Sequence, residues 1–363
     1  MLEGLKVIEF EGLGPGPFAS MLLADLGADV IVIQRPGPAN PTMGAHNLLD
    51  RGKRSVVLNL KSAEGLAAAK ALVGDADVLI EGLRPGVMER LQLGPEVFTE
   101  VNPKLVYGRM TGWGQTGPRA HTAGHDYNYI ATSGALWYGS TPGDTPLTPP
   151  TIVGDIGGGA LYLVAGVLAG VFKAARTGQG TVVDAAIVDG SAHMMALFMA
   201  MAGGGNVSET RGQSLLDGPP WGRVYCCADG ANLSVQCLEP EFYALFLERL
   251  NLSGDPAFRE QYNRDQWPSQ TERLANIFAQ RSVAHWDGVF RDCDACVAPV
   301  LSPWDAVYDL HMASRQVWHE TEGLLQPAPA PRFDGISKDP ASIPERGVHT
   351  DEVLNELKTR GLL

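Results

Sequence analysis

Through its first third the chain alternates short apolar runs with longer segments of helical period. Residues 5–10, LKVIEF, predict a strand. A glycine- and proline-rich loop follows, then an apolar helical stretch over 18–26. Gly27 can close that helix, because glycine tolerates the left-handed C-cap conformation. DVIVI at 29–33 predicts a second strand, apolar enough to be buried on both faces. Residues 55–60 predict a third. A helix opens at 61–64 and runs through Leu72, and strands follow at 77–80 and 104–107. Strands alternating with helices imply an α/β fold on a parallel sheet, with right-handed crossovers carrying helices to both faces. Ligands of such sheets bind in the crevice at the carboxyl ends of the strands.

Beyond Gly159 a long helix is expected to about Ala175, broken by Gly178-Gln179-Gly180. A strand at 181–187 and a Met-rich helix at 191–201 come next, the methionines reading as core filler. The texture then changes at Gly203-Gly204-Gly205. The expected division is a large domain over 1–205, a linker over 206–220 and a smaller α+β domain over 221–315. That smaller domain should hold a strand at 233–237 and mainly helices after it. Residues 316–363 read as a return linker and C-terminal segment, with a stiff PAPAP stretch at 327–331 and a short helix over 351–358.

Hydrophobic residues make up 45% of the chain and charged residues 19%, ample material for a folded core. The net charge of −13 argues against a general nucleic-acid role, which needs a basic footprint. An anionic ligand would therefore need a local basic patch. Cys226, Cys227, Cys237, Cys293 and Cys296 are odd in number and loosely spaced, which reads as reduced thiols. Cys293-x-x-Cys296 lacks the second pair and the nearby histidines of a zinc site, so no metal is expected. MLEGLKVIEF has no charged region followed by an apolar one and a cleavage site. The longest apolar stretch, 160–172, is shorter than the roughly 20 residues that span a bilayer. A cytoplasmic protein without a membrane partner is expected.

Gly12-Leu13-Gly14-Pro15-Gly16 follows a strand and precedes a helix, the setting of a dinucleotide-binding loop. The glycine spacing departs from G-x-G-x-x-G. The second strand ends in Gln34-Arg35, not in the acid that holds a ribose hydroxyl. An NAD enzyme is therefore disfavoured. Arg35 instead suits a phosphate, as in NADP or a 3′-phosphorylated nucleotide such as coenzyme A. Further cations recur after successive strands: Arg51, Lys53 and Arg54, then Lys61, Arg84 and Arg90. Each alone is more often a solvated surface charge. Their recurrence points to a shared anion site, which arginine suits through its two-pronged hydrogen bonding.

Two glycine-framed segments stand out, Gly124-His125-Asp126-Tyr127-Asn128-Tyr129 and Ile152-Val153-Gly154-Asp155 before Gly157-Gly158-Gly159. A loop histidine is more often structural, and an aspartate before glycines more often caps a helix or makes a turn. Neither segment establishes catalysis by itself. With them, however, come Gly4-Leu5-Lys6-Val7, Leu26-Gly27-Ala28-Asp29-Val30 with Arg35-Pro36, and Leu58-Asn59-Leu60-Lys61. Glu81-Gly82-Leu83-Arg84-Pro85-Gly86 with Arg90-Leu91, Gly112-Trp113-Gly114-Gln115-Thr116-Gly117-Pro118, Val183-Asp184-Ala185-Ala186 and Leu238-Glu239-Pro240 complete the series. In this order the segments resemble the CoA-transferase III (CaiB/BaiF) superfamily, and within it the α-methylacyl-CoA racemases, over essentially the whole chain.

The resemblance implies a Rossmann-like large domain completed by the C-terminal segment, a small domain, and two chains interlocked as a homodimer with the active site between them. It implies an acyl-CoA thioester substrate and no cofactor beyond the CoA that the substrate carries. His125 and Asp155 match the acid/base pair, with Asp126 beside the histidine in the catalytic set. Glu239 matches the acid that orients the histidine. Arg35, Leu58, Lys61, Leu83, Arg84 and Arg90 fall where the family holds the adenine and phosphates. Racemisation needs two such groups, because a proton must leave one face of the α-carbon and arrive on the other. Histidine suits the task near neutrality, whereas an aspartate needs partial burial to donate a proton. The alternative is a CoA transferase that uses Asp155 as a nucleophile to form an acyl anhydride. Transferases of the superfamily tend to carry tyrosine in place of His125, so the histidine favours the racemase. One departure is Thr151, where the racemases usually have asparagine.

Overall fold

Six parallel strands carry one of two units in the computed structural model, which describes every residue except Ala45 and Glu322. This unit comprises Met1–Ala135, Pro149–Met194 and Val307–Leu363. The other comprises Leu136–Thr148 and Met195–Ala306. In the first, β1 (Lys6–Phe10), α1 (Pro15–Asp25), β2 (Asp29–Gln34), β3 (Arg54–Val57), α2 (Ala63–Gly74), β4 (Val78–Glu81), β5 (Val106–Thr111) and β6 (Thr181–Ala186) build the sheet and its first crossovers. The strand order is β3-β2-β1-β4-β5-β6, parallel throughout. The order reverses between β1 and β4, which opens a crevice outside their carboxyl ends.

Local chemistry explains where the elements depart from the expected bounds. Helix α1 starts at Pro15, earlier than its apolar pattern, because Gly14 takes a positive φ before it and proline suits the first helical turn. Strand β3 stops at Val57, because the Asn59 side chain accepts the Lys61 N–H and turns the chain toward the Ser62 cap of α2. Strand β5 runs on to Thr111, in register with β6 from Val106↔Thr181 to Thr111↔Ala186. Its Arg109 is polar in sequence yet buried, because it forms ion pairs with Glu81 and Glu89.

Both glycine-framed segments become helix starts. His125 precedes α3 (Asp126–Ser133). Ile152–Ala160 forms a π-helical stretch that runs directly into α4 (Leu161–Thr177), so the helix expected beyond Gly159 starts sooner and contains Asp155. Ile156 N–H donates to Thr151 O, five residues back (3.0 Å). Its glycines let this stretch press against α5 (Ile187–Met194): a β-carbon on Gly190 would lie 1.9 Å from Gly158 O. Leu163 and Val167 of α4 are fully buried in the core that holds Ile80 and Val106. The continuous helix Ile152–Thr177 is long and apolar enough to cross a membrane by length and composition, unlike the shorter apolar run 160–172. The Met-rich helix expected over 191–201 ends at Met194 and resumes over Ala196–Ala200. Met194 and Met199 are not core filler, at 42% and 53% exposed in the single chain, while Met195 and Met201 are half-buried.

The second unit has an antiparallel sheet of β7 (Gly222–Cys226), β8 (Asn232–Gln236) and β9 (Val297–Pro299). With α6 (Pro240–Arg249), α7 (Trp267–Phe278) and α8 (Val283–Phe290) it encloses a core rich in aromatics, including Trp221, Phe246 and Phe278.

The chain then returns to the first unit and ends in α9 (Thr350–Thr359). Val353 and Leu357 bury into the core shared with Ile8, Ile31 and Leu72. His349 Nδ1 and Thr350 Oγ1 accept the N–H groups of Ser55 and Val57 (both 3.0 Å), covering the free edge of β3. The nearby cations are occupied. Arg51 pairs with Asp25 (2.6 Å), Lys53 with Glu9 (2.6 Å), and Arg54 with Asp29 and Glu356 (2.7 and 3.0 Å). This cluster braces the fold instead of facing an anion.

Candidate active site

A cleft of about 590 Å³ opens at the carboxyl ends of β1, β2 and β4. Arg35, Leu58, Leu83, His125 and Asp155 line it together. Lys61 and Arg84 sit on the loops after β3 and β4, and Arg90 ends the short helical turn Val87–Arg90. All three side chains are exposed and outside the cleft wall. Glu239 belongs to the second unit, exposed and immediately before α6.

His125 is held by its own helix. Its backbone is extended, and its N–H donates to Asn128 Oδ1 in the first turn of α3 (3.0 Å). The Tyr129 hydroxyl donates to Gly124 O, and its ring packs edge-on against Trp113 with centroids 4.9 Å apart. Asn128 and Tyr129 thus fix the chain on both sides of His125. Both stand in the quoted segment, but only helix-cap spacing signals the asparagine, and nothing in the sequence signals the tyrosine.

Asp155 lies in the π-helical stretch. Burial, then the neighbouring charge of Asp126, pushes its carboxyl up to about 6, while His125 pulls it the other way. Asp126 itself is buried and outside the cleft wall. Its Oδ1 accepts the N–H groups of Gly154 and Asp155, both at 2.9 Å. Its Oδ2 is buried with no hydrogen-bond partner among the described residues. Glycine at 154 makes room for this carboxylate, because a β-carbon there would lie 2.4 Å from Asp126 Oδ1 and push it off the backbone. Asp126 therefore ties the helix that follows His125 to the backbone of Asp155.

The glycine loop after β1 also closes on this carboxyl. A β-carbon on Gly14 would stand 3.8 Å from Asp155 Oδ2. In sequence this loop stands where a dinucleotide-binding loop would, with a departing glycine spacing, and nothing there signals its approach to Asp155. Nor is Glu11 signalled, which lines the cleft and whose carboxylate binds Arg346 of the C-terminal segment (2.6 and 3.0 Å). Residues 335 positions apart leave no local pattern to read.

Fold and site together define an α/β protein with dinucleotide-fold strand order, whose switch-point crevice holds a histidine and an aspartate whose carboxyl burial pushes up. The chain belongs to CoA-transferase family III, whose model matches residues 2–350. It is 39% identical over 360 residues to the α-methylacyl-CoA racemase of Mus musculus, covering 98% of this chain and 93% of the relative. It is 29% identical over 367 residues to the acetyl-CoA:oxalate CoA-transferase of Acetobacter aceti, covering 94% and 91%. The crystal structure of a CAIB/BAIF family protein from Brucella suis shares its fold, with a TM-score of 0.81 at 24% identity over 98% of each chain.

Proposed function

We propose that this chain racemises 2-methylacyl-CoA thioesters by two-base proton transfer at the α-carbon. The observation that carries the reading is that His125 and Asp155 line one cleft from two separate helix starts. Likeness to the Mus musculus racemase supports it. One residue removes the α-proton, leaving an enolate with its charge on the thioester oxygen. The other returns a proton to the opposite face, and the roles exchange with substrate hand. A carboxyl pushed up to about 6 exchanges protons closer to neutrality than an ordinary aspartate, as this route requires. Backbone N–H groups in the first turn of α3 would stabilise the enolate oxygen.

In this reading Asp126 positions Asp155, and Glu239 orients His125. Arg35, Leu58, Lys61, Leu83, Arg84 and Arg90 hold the CoA moiety. The route calls for no metal and no cofactor beyond that CoA. The enzyme works in the cytoplasm as an interlocked homodimer. Phe172, Leu197 and Trp304, 65%, 78% and 71% exposed in the single chain, supply apolar surface for such pairing.

The test is incubation of one enantiomer of a 2-methylacyl-CoA in deuterated water without an acyl acceptor. Deuterium at the α-carbon and both enantiomers in the product are expected. His125→Ala and Asp155→Ala should each abolish inversion. No exchange across several acyl chains, with folded protein, overturns the reading and directs the search to acyl acceptors for a transferase.

A further inference from the structure

The nucleotide end of the cleft poses an electrostatic problem. Glu11 follows β1 directly and lines the same wall as Arg35. An anionic ligand entering there meets a negative charge as well as a positive one. Arg346 answers it from the C-terminal segment. Its Nη1 and Nη2 donate to Glu11 Oε1 and Oε2 at 2.6 and 3.0 Å, a two-pronged pair. The same guanidinium donates to Arg35 O at 2.7 Å and to Gly37 O at 3.2 Å. Glu11 also accepts the Arg35 backbone N–H at 3.2 Å. Arg346 is thus bound to the residue after β1 and to the turn after β2; Glu11 is its hydrogen-bonded counter-charge, with Asp50 a further negative charge nearby.

We propose that Arg346 is a positioning residue for CoA binding: it neutralises Glu11 and clamps the 35–37 turn so that Arg35 can face a phosphate. The inference rests on reading the cleft as a CoA site. It goes beyond that reading by giving the far C-terminal segment a direct part in ligand binding. Without Arg346, Glu11 loses its direct ion pair and keeps Arg35 as its neighbouring positive charge, which it then draws away from a phosphate, and the turn loses its two carbonyl anchors. The two consequences separate by mutation. Arg346→Met carries both, Glu11→Gln with Arg346→Met carries only the loss of anchoring, and Arg346→Lys keeps charge but loses the fork.

Direct binding tests it, free of any assumption about catalysis. Calorimetry on the full chain would compare free CoA with pantetheine, which lacks the nucleotide. Arg346→Met should weaken CoA binding about tenfold and leave pantetheine binding unchanged. The double variant should recover part of that loss, and Arg346→Lys should fall between wild type and Arg346→Met. The salt dependence of CoA binding should change in Arg346→Met, because a phosphate then competes with Glu11 for Arg35. A merely structural role would weaken both ligands together and would not be relieved by Glu11→Gln. Unchanged CoA affinity in Arg346→Met, with wild type binding CoA, overturns the inference alone. Wild type that binds no CoA overturns the reading of the cleft along with it.

Discussion

Asp126 Oδ1 accepts the backbone N–H of Asp155 at 2.9 Å, so the residue that follows His125 in sequence grips the residue that shares its cleft. The link ties the backbone of Asp155 to the helix that follows His125. Asp126→Asn keeps an oxygen that can accept both N–H groups but removes the charge that helps raise Asp155. Asp155 should then titrate below about 6. In the direction where Asp155 takes the proton, the acid limb of the rate profile should move to lower pH. In the direction where it donates, activity should fade at lower pH than in wild type. Asp126→Ala removes the acceptor, which should cost about 1–3 kcal/mol of stability and lower turnover on the order of a hundredfold. Rate profiles for the two enantiomers, measured separately, check both outcomes.

The raised Asp155 carboxyl also affects stability. An acid that binds its proton more tightly folded than unfolded favours the fold at low pH. That stability is fully present below the ordinary value of 3.8 and is lost as pH rises through about 6. Asp155→Asn should therefore stabilise the protein at pH 7.5, by about 1 kcal/mol once partial exposure is discounted, and make little difference near pH 3.5. Thermal melts at the two pH values check this. Equal effects at both would mean that the carboxyl is not a strained charge in the folded protein.

The sheet was legible because its strands are buried on both faces and read as apolar runs between helical segments. The site was legible only in part. His125 and Asp155 sit in glycine-framed segments that stand out locally, and Arg35 and Leu83 follow strands whose ends the pattern located to within a residue, whereas Leu58 fell inside the strand expected over 55–60. The π-helical setting of Asp155 was not legible, because it depends on Gly158 meeting Gly190 across two elements. Nor was the fate of Arg51, Lys53 and Arg54. A cation's sequence neighbours do not reveal whether Asp25, Glu9 or Glu356 waits beside it in space.

Thr151 opens the π-helical stretch with φ 66°, a left-handed conformation that β-branched residues rarely adopt. Asparagine enters this region more readily, which gives a backbone reason for its use in the racemases that the chain resembles. Thr151→Asn should relieve strain and stabilise the protein by about 1 kcal/mol. Thr151→Val, which keeps the branching and loses the hydroxyl, should bring no such gain. Denaturant midpoints at constant m-value check the difference. A destabilised Thr151→Asn would show that the threonine is held by something other than its backbone.

Arg109 connects the sheet to the loop that carries Leu83. Its Nε donates to Glu81 at 2.9 Å and its two terminal nitrogens to Glu89 at 2.8 and 3.2 Å. Glu81 in turn accepts the Leu83 N–H at 2.7 Å. Burial pushes Glu81 up, while the Leu83 N–H and Arg109 pull it back. Arg109→Met leaves that carboxylate buried without its counter-charge, which should cost about 3–5 kcal/mol near neutrality. The sign of the pH dependence follows. Glu81 binds its proton more tightly in the folded variant than in the unfolded chain. The deficit should therefore be small at pH 4 and grow as pH rises toward 8. Arg109→Lys should show a smaller deficit, because the charge remains and only the fork is lost. If the Leu83 loop shapes the cleft, surviving Arg109→Lys enzyme should show a raised KM for acyl-CoA with kcat little changed. A pH-independent deficit in Arg109→Met would place its cost in lost packing instead of in the stranded carboxylate.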